Sequence, residues 1–223
     1  IKKNPKLFVG YSDVTNLNIT FNQKCGLGTY HGPMVRSNML NDFNEFTKNS
    51  FFSALNYENG KKWKLENPSG KKIILLNRNN FSEIEKKEKI REIKGELIGG
   101  NLSLLVTTLG TDHEINTDGK ILFLEETNEA SYRVDRMLKQ LKLAGKFDKL
   151  QGIILGDFKN PKQSDPTDMT IDEVFYDNFG RLNIPIVKNF KSGHVRPFIT
   201  VPIGAKAVMD TGKREIMIEK ATK

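Results

Sequence analysis

A chain of 223 residues, with 37% apolar and 28% charged side chains, can bury a sizeable core without disulfides or metals, which excludes a disordered or fibrous polymer. A net charge of +8 and a pI near 9.4 raise the question of nucleic-acid binding, but the basic residues are poorly clustered. The densest runs are Lys61-Lys62, Lys71-Lys72 and the stretch from Glu83 to Lys94, where acids alternate with bases as on a solvated helix face.

The chain opens on Ile1 and enters at once a short apolar strand, Leu7-Phe8-Val9, with no earlier element to pair it; it reads as a fragment whose N-terminal residues are missing. Gly10 to Asp13 is a tight turn, and Val14 to Gln23 a helix ending near Gly26. Cys25 to Tyr30 is a second strand, broken by His31-Gly32-Pro33. Cys25, the only cysteine, excludes an internal disulfide and is expected as a core thiol. Phe43, Phe46, Phe51 and Leu55 recur at near-helical spacing and predict a helix between Asn41 and Tyr57.

Apart from Trp63 and Leu65, Glu58 to Gly70 is polar, which places a domain boundary near residue 60 and divides 1–60 from 61–223. Beyond it the expected order is a strand over Lys72 to Asn77, a charged helix over Phe81 to Arg91, and a strand over Glu96 to Ile98 that stops at Gly99-Gly100. Asn101 caps a helix running to Leu109. Ile121 to Leu124 is a buried strand, and Ala130, Val134, Leu138 and Leu141 share one face of a helix over Ala130 to Leu143. Ile153 to Leu155, the helix Thr170 to Phe179 and Ile184 to Val187 continue the alternation, and Asp210-Thr211-Gly212 turns a final hairpin. The fold class is α/β: the end of an N-terminal α/β domain, then a mixed α/β C-terminal domain with short, partly antiparallel strands. No run reaches the roughly 18 apolar residues of a membrane span, and no charged-then-apolar leader is present, so a soluble cytoplasmic protein is expected.

Gly10-Tyr11-Ser12-Asp13 sets a serine between a strand and a helix, where a turn exposes its hydroxyl and helix amides favour developing negative charge. Position 14 is Val, so the G-x-S-x-G motif is not met, and on spacing alone Ser12 fits a plain helix N-cap better than a nucleophile. A nucleophilic serine needs a base, and the chain offers His31, His113 and His194. His194 lies in the loop Ser192 to Pro197, where function concentrates; His113 sits in a polar turn that suits a solvated ring, and His31 suits a structural hydrogen bond. The base needs a carboxylate to fix its tautomer, and Glu125 and Glu126 follow the strand Ile121 to Leu124 at the end where ligand sites of open α/β sheets gather. The pair serves equally as two solvated glutamates opening a helix.

Gly10-Tyr11-Ser12-Asp13-Val14-Thr15, His31-Gly32-Pro33-Met34, Gly99-Gly100-Asn101-Leu102, Leu122-Phe123-Leu124-Glu125-Glu126, Tyr132-Arg133-Val134-Asp135-Arg136-Met137-Leu138 and Gly193-His194, followed by Val201-Pro202-Ile203-Gly204-Ala205, together resemble the LD-carboxypeptidase family, peptidase family S66. The resemblance covers nearly the whole chain. It implies a flavodoxin-like N-terminal domain bearing the serine and a C-terminal domain bearing the acid and base. It also implies a triad of Ser12, Glu125 and His194, an oxyanion hole using the Asp13 amide and an earlier glycine amide, and no metal or cofactor. The implied substrate is a muropeptide tetrapeptide that loses its terminal D-alanine during cell-wall recycling. A homodimer that binds neither nucleic acid nor membrane is the implied state. The rivals are an immunity hydrolase for peptide-nucleotide antibiotics and a noncatalytic binding module.

Overall fold

The computed structural model describes residues 1–56, 62–76, 92–161, 165 and 167–220. The boundary near residue 60 and the charged helix expected over Phe81 to Arg91 fall outside them. Two sheets form. One pairs β1 (Thr29–His31) with β8 (Val201–Ile203), antiparallel. The other has eight strands in the order β2-β10-β9-β4-β5-β6-β7-β3, comprising β2 (Trp63–Lys64), β3 (Ile74–Leu75), β4 (Glu92–Asn101), β5 (Lys120–Thr127), β6 (Gly152–Lys159), β7 (Ile186–Lys188), β9 (Lys206–Asp210) and β10 (Glu215–Lys220). The four from β4 to β7 are parallel, and both flanks are antiparallel.

The parallel centre follows from composition. Ile121, Leu122, Phe123 and Leu124 on β5, and Ile153, Ile154 and Leu155 on β6, are all buried, the unbroken apolar run of strands covered on both faces. Helix α3 (Leu102–Thr107) joins β4 to β5, α4 (Ser131–Leu143) joins β5 to β6, and α5 (Ile171–Phe179) precedes β7. Val134, Leu138 and Leu141 of α4, three and four residues apart, are buried as one stripe. The start of α5 is fixed by a capping box in which Thr170 and Glu173 exchange side-chain and backbone bonds.

At the N-terminal end the structure differs in detail from the expected elements. The strand at 7–9 is reduced to a parallel bridge between Val9 and Tyr30. The helix begins as a three-residue tight turn, Ser12–Val14, and continues as α1 (Thr15–Cys25), closed by Gly26 at φ +67°. Cys25 is therefore the half-buried last residue of a helix rather than a core thiol leading into a strand. The second strand is shorter, starting at Thr29, and the aromatic helix is α2 (Glu45–Leu55). Strand β4 does not stop at Gly99-Gly100; it stays paired with β5 through both glycines to Asn101, and glycine is needed at 99 because a side chain there would collide with the backbone of Phe123.

Candidate active site

Glu125 is the sixth residue of β5 and lies at the carboxyl end of the parallel strands. It is fully buried. Its neighbour Glu126 is buried too, so the reading of two solvated glutamates is overturned. The two acids are used differently. Glu126 accepts bonds from Asn101 Nδ2 (3.1 Å), Ser103 N (2.9 Å), Ser103 Oγ (2.7 Å) and Thr127 N (2.8 Å). It thereby ties the first turn of α3 to β5. Glu125 Oε2 instead meets Nδ1 of His194 at 2.8 Å. Among the described residues its other oxygen, Oε1, is buried without a hydrogen-bond partner. Burial pushes the Glu125 carboxyl above its usual range, and the bond to His194 opposes that shift.

The loop that presents His194 is anchored by a bulge in β6. Leu124 pairs with Leu155 and Glu126 with Phe158, so β6 holds an extra residue beside Glu125. The bulge aims the Asp157 amide at the carbonyl of Ser192 (2.9 Å), while Lys191 Nζ reaches Asp157 Oδ1 at 3.1 Å. Ser192 Oγ donates to the carbonyl of Ile199 at 2.6 Å and closes the base of the loop. His194 keeps one fifth of its side chain exposed, so its second nitrogen can face a substrate while the first is held by Glu125.

Ser12 sits in the strand-to-helix turn at φ +59°, a left-handed backbone that costs a non-glycine residue about 1 kcal/mol or more and is characteristic of strained functional turns. No side-chain capping bond forms at this helical start, so the N-cap reading of Ser12 finds no support. Gly10 is required because a β-carbon there would lie 2.6 Å from Val14 Cγ1. The turn meets the acid–base pair through Tyr11, whose ring packs edge-on against His194 with centroids 4.9 Å apart. Asp13 is exposed, and its amide belongs to the first turn of the helix, where N–H groups have no partner within the turn.

The other histidines separate cleanly. His113 is exposed, within 3.4 Å of the Thr20 hydroxyl. His31 is fully buried among Tyr11, Phe123 and Phe198, and neither ring nitrogen has a hydrogen-bond partner among the described residues. The structural hydrogen bond expected for it is thus absent. Burial, with a further contribution from nearby His194, lowers its pKa to about 3 and keeps it neutral. Sequence reasoning assigned no role to Tyr11, to Gly156, where a β-carbon would stand 2.7 Å from the Ser192 carbonyl oxygen and 3.1 Å from Glu125 Cβ, or to Gly193. A glycine directly before His194 was the available signal for the last.

Fold and site together define an α/β protein with a buried carboxylate–imidazole pair beside a strained serine turn. Comparison with known proteins narrows the class. The LD-carboxypeptidase C-terminal domain model matches residues 94–209, and the LD-carboxypeptidase N-terminal domain model matches residues 1–32. The chain belongs to the LD-carboxypeptidase family. It is 38% identical to the probable murein peptide carboxypeptidase of Bacillus subtilis strain 168, an alignment covering 98% of this chain and 64% of that protein. It is 30% identical to the microcin C7 self-immunity protein MccF of Escherichia coli, over 96% of this chain and 66% of MccF. The chain therefore spans about two thirds of the length of these relatives. Among solved structures, muramoyltetrapeptide carboxypeptidase from Oxalobacter formigenes superposes with a TM-score of 0.79 at 29% identity, covering 98% of this chain and 69% of that one. MccF in complex with glutamyl sulfamoyl guanosine gives a TM-score of 0.82 at 26% identity, covering 100% and 69%. Among the described residues, no helix is long and apolar enough to cross a membrane.

Proposed function

We propose that the protein is a serine carboxypeptidase that hydrolyses the L,D-peptide bond and releases terminal D-alanine from muropeptide tetrapeptides in cytoplasmic cell-wall recycling. The observation that carries this reading is the 2.8 Å contact between buried Glu125 Oε2 and His194 Nδ1, beside the strained turn that bears Ser12. The names of the Bacillus and Oxalobacter relatives support the substrate class.

In this reading Ser12 Oγ attacks the carbonyl carbon before D-alanine, and Nε2 of His194 takes the hydroxyl proton. Glu125 holds the Nδ1–H tautomer and stabilises the imidazolium. The Asp13 amide donates to the developing oxyanion. The C–N bond breaks, and the proton on Nε2 passes to the departing amine. Water then attacks the ester on Ser12 with His194 again as base, releasing the tripeptide acid. No step requires a metal or a cofactor. A homodimer remains part of the proposal, to be checked by sedimentation.

The test is release of D-alanine from L-alanyl-D-glutamyl-diaminopimelyl-D-alanine by the full-length gene product, beside its Ser12→Ala form. Serine-dependent release is expected; full activity in Ser12→Ala would overturn the assignment. Release from an aminoacyl-sulfamoyl adenylate but not from the tetrapeptide would move the substrate to the class that includes MccF. The muropeptide reading is favoured by the higher identity to the Bacillus murein peptide carboxypeptidase, 38% against 30% for MccF.

A further inference from the structure

Thr15, the first residue of α1, is fully buried and has no part in the proposed chemistry. Its hydroxyl oxygen accepts a buried hydrogen bond, 3.1 Å long, from the backbone N–H of Asn101, 86 residues away. Asn101 is paired with Glu125 across the parallel ladder of β4 and β5. Its side chain donates to Glu126. A single hydroxyl therefore joins the helix that follows Ser12 to the strand position beside the buried acid.

The surroundings are shaped to this bond. Gly100 has φ +154°, and a β-carbon on it would stand 2.7 Å from Thr15 Cγ2 and 2.8 Å from Thr15 Oγ1. The end of β4 thus closes on both arms of the threonine. One turn along α1, Asn18 Nδ2 donates to the carbonyl of Gly10 at 2.9 Å, so the segment from Gly10 to Asn18 is braced on itself. The far end of α1 has its own attachment: Gln23 donates to the Glu114 carbonyl at 2.9 Å and accepts from Asn116 N at 2.7 Å. The start of α1 also carries an exposed bond from Asn16 Nδ2 to Thr107 Oγ1 at 3.2 Å, and Thr29 Oγ1 donates to the Asn18 carbonyl at 3.2 Å, so loss of the Thr15 bond removes the buried tie between the serine end and β4 while α1 stays docked elsewhere.

We infer that Thr15 is a positioning residue that sets the separation between Ser12 and the Glu125–His194 pair by fixing the start of α1 to the backbone of Asn101. The inference rests on the serine-hydrolase reading above and deepens it. Its physical basis is the steep dependence of rate on reacting geometry, where a displacement of about 1 Å can cost about a hundredfold. A buried amide left without its acceptor drives such a displacement, because it moves until it is satisfied.

The experiment compares Thr15→Val and Thr15→Ser in the full-length gene product on the same tetrapeptide, with Ser12→Ala alongside. Valine keeps the shape and removes the acceptor; serine keeps the acceptor and removes the methyl. The expected result is a fall in kcat of at least about tenfold for Thr15→Val with KM within about twofold, and recovery to within about threefold of wild type for Thr15→Ser. A kcat for folded Thr15→Val within about threefold of wild type would overturn the inference. So would an equal fall in Thr15→Ser, which would assign the effect to packing of the methyl. If Thr15→Val does not fold, Thr15→Ala against Thr15→Ser gives the same comparison, with the same outcomes deciding it. Wild-type activity in Ser12→Ala would instead sink the serine-hydrolase reading, and the Thr15 inference with it.

Discussion

A β-carbon placed on Gly193 would stand 2.5 Å from Oε2 of Glu125, the oxygen that meets His194. The backbone at Gly193 has φ +118°, a conformation that side-chain-bearing residues rarely adopt. The loop therefore brings its base to the acid by passing bare backbone over the carboxylate. Gly193→Ala is expected to lose about 2 kcal/mol or more of stability and most carboxypeptidase activity, since either the loop or the carboxylate must move. Urea denaturation with steady-state kinetics checks both, and a variant with wild-type values for each would show that the loop adapts freely.

Glu125→Gln separates charge from shape. The amide can occupy the same space but cannot stabilise an imidazolium as a carboxylate does. A fall in kcat of about a thousandfold or more is expected, by analogy with the neutralised acid of other serine triads. Because burial disfavours the charged form of Glu125, stability at pH 7.5 should be equal to or above wild type. Thermal melts beside kinetics test the pairing of these effects. Retained kcat would remove Glu125 from the mechanism.

The α/β alternation was legible because its strands are continuous apolar runs and its helices carry clear stripes, as in Ile121 to Leu124 and Val134 to Leu141. Asn101 as a helix cap was readable from its residue type, and the structure gives it that bond, to Leu104 N at 3.3 Å. Glu125 and His194 could be nominated as an acid and a base, but choosing Glu125 over Glu126 depended on family resemblance. The physical distinction between them is tertiary: Glu126 is consumed by four donors from three residues, while the β6 bulge brings the His194 loop to Glu125. No local pattern encodes a bulge on a neighbouring strand. The same limit applies to Thr15, whose partner lies 86 residues away.

His31 makes acid stability testable. Its folded pKa of about 3 lies below the 6.5 of a free imidazole, so between these values the unfolded chain binds the proton more readily than the folded one. Stability contributed by the neutral ring is present above pH 6.5 and is lost as pH falls towards 3. The loss between pH 7.5 and pH 5 is on the order of 2 kcal/mol. His31→Leu, which places an apolar side chain in the same aromatic surroundings, should flatten this part of the stability profile. Urea midpoints at the two pH values decide the matter, and an unchanged pH slope in the variant would assign the acid sensitivity elsewhere.

Glu126→Gln provides the contrast to Glu125→Gln one position earlier. The Glu126 carboxylate is an acceptor at both oxygens: Oε1 for Asn101 Nδ2 and Thr127 N, Oε2 for Ser103 N and Oγ. Glutamine offers one acceptor oxygen, and its amide group would face donors wherever it points. At least one buried donor loses its partner, which costs about 1–3 kcal/mol. The acid–base pair itself is untouched, so kcat of the folded enzyme is expected to stay within about tenfold of wild type, against the thousandfold or greater loss expected for Glu125→Gln. Paired denaturation and kinetic measurements on the two variants test this division of labour. Equal losses of kcat in both would mean that the neighbouring acids act as one catalytic unit, whereas unchanged stability in Glu126→Gln would mean that the start of α3 is held by other bonds.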